Sequence, residues 1–270
     1  MAMVVSSVGF HWEEVFRAYW ELKDSKCDVE IFSVEGAPAR PDPLSLASTG
    51  PGAWIGIGVP RDITPDTMRG RVLRVALDDV APLKQLDPDR FDALYLPGGH
   101  GCLFDVNRDR GLHAVIAQMY TRGCILGGVC HATSAYAFVK VDGRSIVEGH
   151  EMTGFPHALD RALTAVGLVR REFLPLPLVN DDELRRAGAR LSSLDEAMAV
   201  ANPHFMRVSP PFVTGVGPKA AGLVARAMVD ILHNRQHRPS ESTRPNARPT
   251  QGRHAPYAPA LFQTARSGRL

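Results

Sequence analysis

The cysteine at position 130 stands where a thiol could act as a nucleophile. It closes the apolar run Cys124-Ile125-Leu126-Gly127-Gly128-Val129 and opens the stretch 131–139, in which Ala132, Ala135 and Ala137 favour helix. A thiol at such a strand-to-helix turn meets free backbone N–H groups and the positive end of the helix dipole, and both lower the cost of carrying a thiolate. A buried structural cysteine is the competing reading, because free Cys is among the most buried residue types. The second candidate is Gly98-Gly99-His100-Gly101, directly after the apolar run 91–96. Glycines there let backbone N–H groups approach a bound oxygen, which makes the loop a candidate oxyanion hole, although a tight turn needing positive φ would use the same residues. The loop does not read as a phosphate cradle, because no Lys-Ser/Thr follows and the GxGxxG spacing is absent.

Other chemistry-bearing residues are less organised. His100, His113, His150 and His157 are scattered without HxxxH or HExxH spacing, so no metal site is expected from them. Cys27 and Cys102 are expected to be packing residues. Phe10, Trp12, Phe16 and Trp20 recur on one helix face and fit a core or a dimer contact.

These residues need a scaffold, and the pattern of the chain supplies one. Strands are expected at 4–5, 29–34, 72–77, 91–96, before Cys130 and at 212–214, with helices at 12–23, 111–122, 131–139, 159–166, 181–188 and 219–233. Residues 39–70, rich in Pro and Gly, read as loops and an insertion, and Val141-Asp142-Gly143 reads as a hairpin turn. The sum is an α/β fold with a doubly wound, mostly parallel sheet and helices on both faces. Ligands in such sheets bind outside the carboxyl ends of the strands, where the Gly98–Gly101 loop and Cys130 both fall.

Composition limits the function classes. The chain of 270 residues carries a formal charge of +2, but seven of its 31 Lys and Arg lie in residues 235–270 beside a single acid, Glu241, so the remainder is slightly acidic. That Pro-rich basic tail, 235–270, is expected to be disordered, leaving one α/β domain over 1–234. Loose arginines without interleaved aromatics do not indicate nucleic-acid binding. No apolar run reaches the ~20 residues that span a bilayer, so no membrane role is expected. Four widely spaced cysteines and no secretory signal point to a cytoplasmic location.

The segments FDALYLPGGHGCLFD (91–105), AQMYTRGCILGGVCHATSA (117–135), GRSIVEGHEMTGF (143–155) and FVTGVGP (212–218) resemble the ThiJ/PfpI superfamily, whose flavodoxin-like fold is related to class I glutamine amidotransferases. The likeness runs from the N-terminus to about residue 233. The opening GFHWEEVFRAYWEL (9–22) and GAPARPDPLSL (36–46) resemble its branch of glutathione-independent glyoxalase III enzymes and stress chaperones. The resemblance implies a nucleophilic Cys130 followed by the site histidine His131, with an oxyanion hole made by the backbone N–H groups of Gly99 and His131. It implies the glutamate five residues after Gly9, which is Glu14 rather than Glu13; helical periodicity sets those neighbours about 100° apart, so one alone can face the cysteine. It implies an acid just beyond TGF to orient His131, where this chain has Asp160 and relatives often carry Glu. Ala132-Thr133 replaces the Gly-Pro that often follows Cys-His in relatives. The implied activity is conversion of a small 2-oxoaldehyde, methylglyoxal or glyoxal, to D-lactate or glycolate by a homodimer without metal or organic cofactor. A stress chaperone (holdase) and an amide hydrolase or protein deglycase are the alternative implied functions.

Overall fold

The computed structural model describes residues 1–47 and 58–236. Apolar runs and amphipathic segments alternate along it in the order β1 (Ala2–Val5), α1 (Trp12–Asp24), β2 (Glu30–Ser33), α2 (Met68–Asp78), β3 (Ala81–Pro82), β4 (Ala93–Leu96), α3 (Arg110–Thr121) and β5 (Ile125–Val129). After β5 come β6 (Lys140–Val141), β7 (Arg144–Ser145), α4 (His157–Ala165), α5 (Asn180–Arg186), α6 (Ser193–Ala201), β8 (Met206–Ser209), β9 (Phe212–Gly215) and α7 (Ala221–Gln236).

The strands form a seven-stranded sheet in the order β3-β2-β1-β4-β5-β9-β8. Neighbours pair in parallel except the edge pair β8–β9. Strands β1, β4, β5 and β9 are buried along their whole length, as expected where helices cover both faces of a parallel sheet. The two-residue period sends Met3 and Val5 to one face, against Val15 and Leu22 of α1 and Met228 of α7, and sends Ala2 and Val4 to the other, with Leu112 and Ile116 of α3. Each such buried Val, Leu, Ile or Met side chain stabilises the fold by roughly 1.5–3 kcal/mol. Gly127 of β5 makes room for Met228, whose Sδ would lie 2.1 Å from a Cβ placed there. The switch point of the sheet order falls between β1 and β4, and the loops after both strands lead to the candidate residues.

Two local expectations are corrected. Residues 72–77 belong to helix α2 rather than to a strand: Gly70, Leu73 and Leu77 are buried at helical spacing, and the Thr67 hydroxyl caps the helix by accepting from the Gly70 N–H at 3.0 Å. The segment after β5 is a 3-10 helix, Cys130–Phe138, rather than the helix that its alanines favour. Its hydroxyls explain the difference, since Thr133 Oγ1 donates to the Cys130 carbonyl at 2.9 Å and Ser134 Oγ to the His131 carbonyl at 3.0 Å. Side chains that bond carbonyls three residues back compete with the α-helical ladder.

Asn180, fully buried at the start of α5, completes this network: its Oδ1 accepts from the Ser134 N–H at 3.1 Å and its Nδ2 donates to Thr133 Oγ1 at 3.2 Å. The β6–β7 hairpin forms where Asp142-Gly143 marks its turn. Residues 235 and 236, expected to open the disordered tail, instead belong to helix α7 (Ala221–Gln236); the rest of that tail, from residue 237 on, and residues 48–57 of the expected insertion lie outside the described residues. Among the described residues no helix is long and apolar enough to cross a membrane.

Replacing Asn180 by Ala strips a partner from two buried groups at once. The expected loss is about 1–3 kcal/mol, read in urea as a lower midpoint at unchanged slope; a shift under about 0.5 kcal/mol would mean that the 3-10 turn holds without the network.

Candidate active site

Strand β5 ends at Val129 in extended backbone, and Cys130 then turns with φ 58°. A positive φ is uncommon for a residue with a side chain and persists where the surroundings hold it. The Cys130 carbonyl is held on two sides, by Thr133 Oγ1 and by the Phe155 N–H at 3.4 Å. The turn aims the thiol at a cavity of about 430 Å3 that also exposes Gly99, His100 and His131.

Helix α1 brings an acid to this sulfur. The backbone link His11 N–H to Gly98 carbonyl, 2.9 Å, docks the start of α1 on the loop after β4. Glu14 Oε2 in turn accepts the Gly98 N–H at 2.6 Å, and its carboxyl lies close enough to the Cys130 thiol for each to bear on the other's ionisation. Gly98 permits this closeness: a Cβ there would stand 2.7 Å from the Cys130 Cβ and 3.0 Å from Glu14 Oε2. Glu13 points elsewhere, to Arg17 Nε at 2.6 Å and Lys219 Nζ at 2.9 Å. Burial pushes the Glu14 carboxyl up to about 8, against the Gly98 N–H and the thiol, which favour its ionised form.

Burial also pushes the Cys130 thiol up, and a Glu14 carboxylate would push it further, while the N–H groups of His131 and Gly99 pull it down. This overturns the expectation that the turn by itself makes the thiolate cheap, because desolvation outweighs the helix end. Cys130 and Glu14 can therefore hold at most one negative charge between them.

His131 stands on the other side of the sulfur. Its Nδ1 lies 3.2 Å from Cys130 Sγ, and its Nε2 lies 3.0 and 3.1 Å from the two oxygens of Asp160 on the first turn of α4. Against the upward effect of burial, the neighbouring imidazoles of His131 and His100, which favour and hydrogen-bond the carboxylate, hold Asp160 well below the usual carboxylate range. An ionised carboxylate only accepts hydrogen bonds, so His131 must present Nε2–H to it and turn the lone pair of Nδ1 to the thiol. Asp160, despite the shorter arm, thus makes the contact that orients the imidazole.

Gly99, with φ +109°, sits where a Cβ would come within 2.7 Å of the His11 nitrogen, so its N–H reaches the sulfur region only because it lacks a side chain. The N–H groups of Gly99 and His131 both lie beside the Cys130 sulfur and act on it as donors.

The residues expected from sequence, Cys130, His131, Glu14, Asp160 and Gly99, therefore converge. The expectation that His100 is merely one of several scattered histidines is corrected. Its Nε2 lies 3.2 Å from Asp160 Oδ1, and its ring centroid lies 4.4 Å from that of His131. Among the described residues, His100, His131 and Asp160 offer ligand atoms within 4.8 Å of one another, a grouping that could hold a metal ion. His113 and His150 bond instead to the Asn107 carbonyl and to Ser209 Oγ. Phe10, Trp12 and Phe16 are core residues, and Trp20 is covered by the Arg69 guanidinium 4.7 Å from its ring.

Sequence reasoning missed Phe155, whose ring stacks 4.7 Å from that of His131, and α6, which contributes Ala199 and Val200 to the cavity. A signal for α6 was present: Ser192 and Asp195 form a capping box at its start.

No protein-family model matches the chain. It is 25% identical over 229 residues to a glutathione-independent glyoxalase of Schizosaccharomyces pombe, covering 83% of this chain and 88% of that protein. A second glutathione-independent glyoxalase of Schizosaccharomyces pombe is 29% identical over 156 residues, 53% of this chain and 58% of the relative, so that match spans little more than half its length. Among solved structures, glyoxalase III of Candida albicans superposes with TM-score 0.65 at 16% identity, over 85% of this chain and 96% of that one. A ThiJ/PfpI domain protein of Brachyspira murdochii gives TM-score 0.55 at 16% identity, over 86% and 95%. The chain has the ThiJ/PfpI fold, and these sequence relatives are glutathione-independent glyoxalases.

The buried acid predicts a pH dependence of stability. Raised from 4.5 to about 8, Glu14 keeps its proton in the folded chain where the unfolded chain has lost it, so its contribution to stability falls as pH rises from 4.5 towards 8. Glu14→Gln has no such proton, and the variant should gain on the parent steadily across that window in urea unfolding; parallel stability curves would mean that Glu14 is already ionised.

Proposed function

We propose that this chain is a cysteine-dependent glyoxalase III-type enzyme, converting 2-oxoaldehydes to 2-hydroxy acids without glutathione. The observation that carries the reading is one sulfur between two proton-handling groups, Glu14 on one side and His131–Asp160 on the other. The glutathione-independent glyoxalase relatives supply the reaction class.

Glu14 holds the shared proton and donates it in a hydrogen bond to the sulfur, so that the negative charge rests on Cys130 when substrate arrives. The thiolate adds to the aldehyde carbon; a C–S bond forms, the C=O π pair moves to oxygen, and the alkoxide meets the N–H groups of Gly99 and His131. After the alkoxide takes a proton, the hydrogen on that carbon leaves as a proton to His131 Nδ1, and an enediol forms across the two former carbonyl carbons. Reprotonation at the neighbouring carbon gives a 2-hydroxyacyl thioester. Water cleaves the thioester, releasing the 2-hydroxy acid and restoring the thiol. The oxidation of one carbon is balanced by reduction of the next, so the sequence consumes only water.

A homodimer in the cytoplasm is the proposed setting. A second reading, a holdase for unfolded clients, is favoured by one feature: Met68, Val72 and Val75 of α2 line up at i, i+4 and i+7 and are 80%, 50% and 70% exposed. It predicts that Cys130→Ala still suppresses aggregation of a heated client.

Purified protein incubated with methylglyoxal and no thiol should yield lactate, and Cys130→Ala should yield none above the uncatalysed rate; equal lactate from both would end the enzymatic proposal. Asp160→Asn should lower kcat on the order of 10^2-fold or more, because the amide NH2 can then face Nε2 and favour the wrong tautomer. In the parent, kcat/KM should rise as pH rises through about 8, where the Glu14–Cys130 pair loses its first proton and comes to hold the one negative charge that the thiolate needs.

A further inference from the structure

The cavity beside Cys130 is much larger than the smallest 2-oxoaldehydes need. Its volume of about 430 Å3 lies within the range that encloses drug-sized ligands, whereas methylglyoxal carries a single methyl group beyond its two carbonyls. The cavity is also chemically lopsided. The groups that would handle the dicarbonyl are within hydrogen-bonding reach of Cys130 or Asp160, while Phe155, Leu159, Leu163, Leu168, Val200 and Val216 make an apolar wall.

That wall begins against the reacting groups themselves, since the Phe155 ring lies 4.7 Å from that of His131. Leu159 and Leu163 are one helical turn apart on α4, on one face, and Leu159 is the neighbour of Asp160 in sequence. Val216 is buried and Val200 is 46% exposed, so the apolar surface runs from the floor of the cavity to its mouth. A methyl substituent would leave most of this surface against water. Lys219, the lysine on the same wall, is already paired with Glu13, so the wall does not call for an anionic substituent.

We infer that the site takes 2-oxoaldehydes whose ketone carries a bulky apolar group, branched alkyl or aryl, seated against α4 and α6. The inference rests on the glyoxalase reading and gives its substrate class. The chemistry is unchanged: R–CO–CHO and water give R–CHOH–COO⁻ and a proton, with R remote from every bond made or broken. Binding energy gained along R acts on the bimolecular step, so it appears in kcat/KM.

The test uses the full chain with methylglyoxal, n-propylglyoxal, isobutylglyoxal and phenylglyoxal, following formation of each 2-hydroxy acid. Each added methylene that covers the wall should raise kcat/KM about fourfold, the equivalent of ~0.8 kcal/mol, so n-propylglyoxal should exceed methylglyoxal by more than about tenfold. Ala162→Trp, from an exposed position of α4 that borders the cavity, should lower the ratio of isobutylglyoxal to methylglyoxal turnover about tenfold or more. Turnover of methylglyoxal with a flat or falling series, or a ratio untouched by Ala162→Trp, would overturn the inference and leave the glyoxalase reading standing. No turnover of any member would take down both.

Discussion

Two buried acids that cannot both be ionised are the constraint around which the rest of this molecule is arranged. Glu14 and Cys130 are fully or nearly fully buried, and a charge on Glu14 raises the pKa of Cys130. In a low dielectric the repulsion between two such anions exceeds what the pair can offset, so one proton is retained. What the fold does is choose where that proton sits. A backbone donor, the Gly98 N–H, acts on the Glu14 carboxyl, and backbone donors act on the sulfur from Gly99 and His131. Both sets come from one short loop after β4 and one turn after β5, adjacent strands in parallel register with Leu96 opposite Gly128.

The rigidity needed for this comes from buried polar groups rather than from the apolar core alone. Asn107 Nδ2 donates to the His131 carbonyl at 2.9 Å and to Ser134 Oγ at 2.7 Å, and Asn180 holds Ser134 and Thr133 from the other side. Asp105 performs the same service for the loop after β1, accepting from Ser6 Oγ at 3.0 Å and the Ser7 N–H at 2.7 Å. A buried network of this kind specifies one backbone path where packing would tolerate several. It is also why the turn at Cys130 can keep a backbone angle that an unsupported residue would leave.

Legibility from sequence followed the range of the interactions. Strands such as β4 and β5 announce themselves by local apolar runs, and the glycine loop and the Cys-His pair stand out because few other roles need those residues in that order. Assigning Glu14 over Glu13 and choosing Asp160 depended on likeness to known proteins; no local pattern distinguishes an acid that meets a sulfur from one that meets Lys219. His100 looked idle because its partner lies 60 residues away, across the sheet edge. The helix α2 was misread because 72–77 carries enough β-branched residues to pass for a strand, while the deciding burial of Gly70, Leu73 and Leu77 is tertiary. The 3-10 segment failed similarly: its alanines report propensity, and the hydroxyls of Thr133 and Ser134 override it.

Helix α4 bears Asp160 on one side and Leu159 and Leu163 toward the cavity, so the acid that steers the imidazole and the surface that would grip the substrate's tail are parts of one rigid rod. A guest that packs poorly against the leucines cannot shift that rod without also dragging the carboxylate off His131. On the proposed reading, discrimination between guests is thereby written into proton transfer as well as into adhesion, and a wrong-sized molecule is held and yet left unreacted.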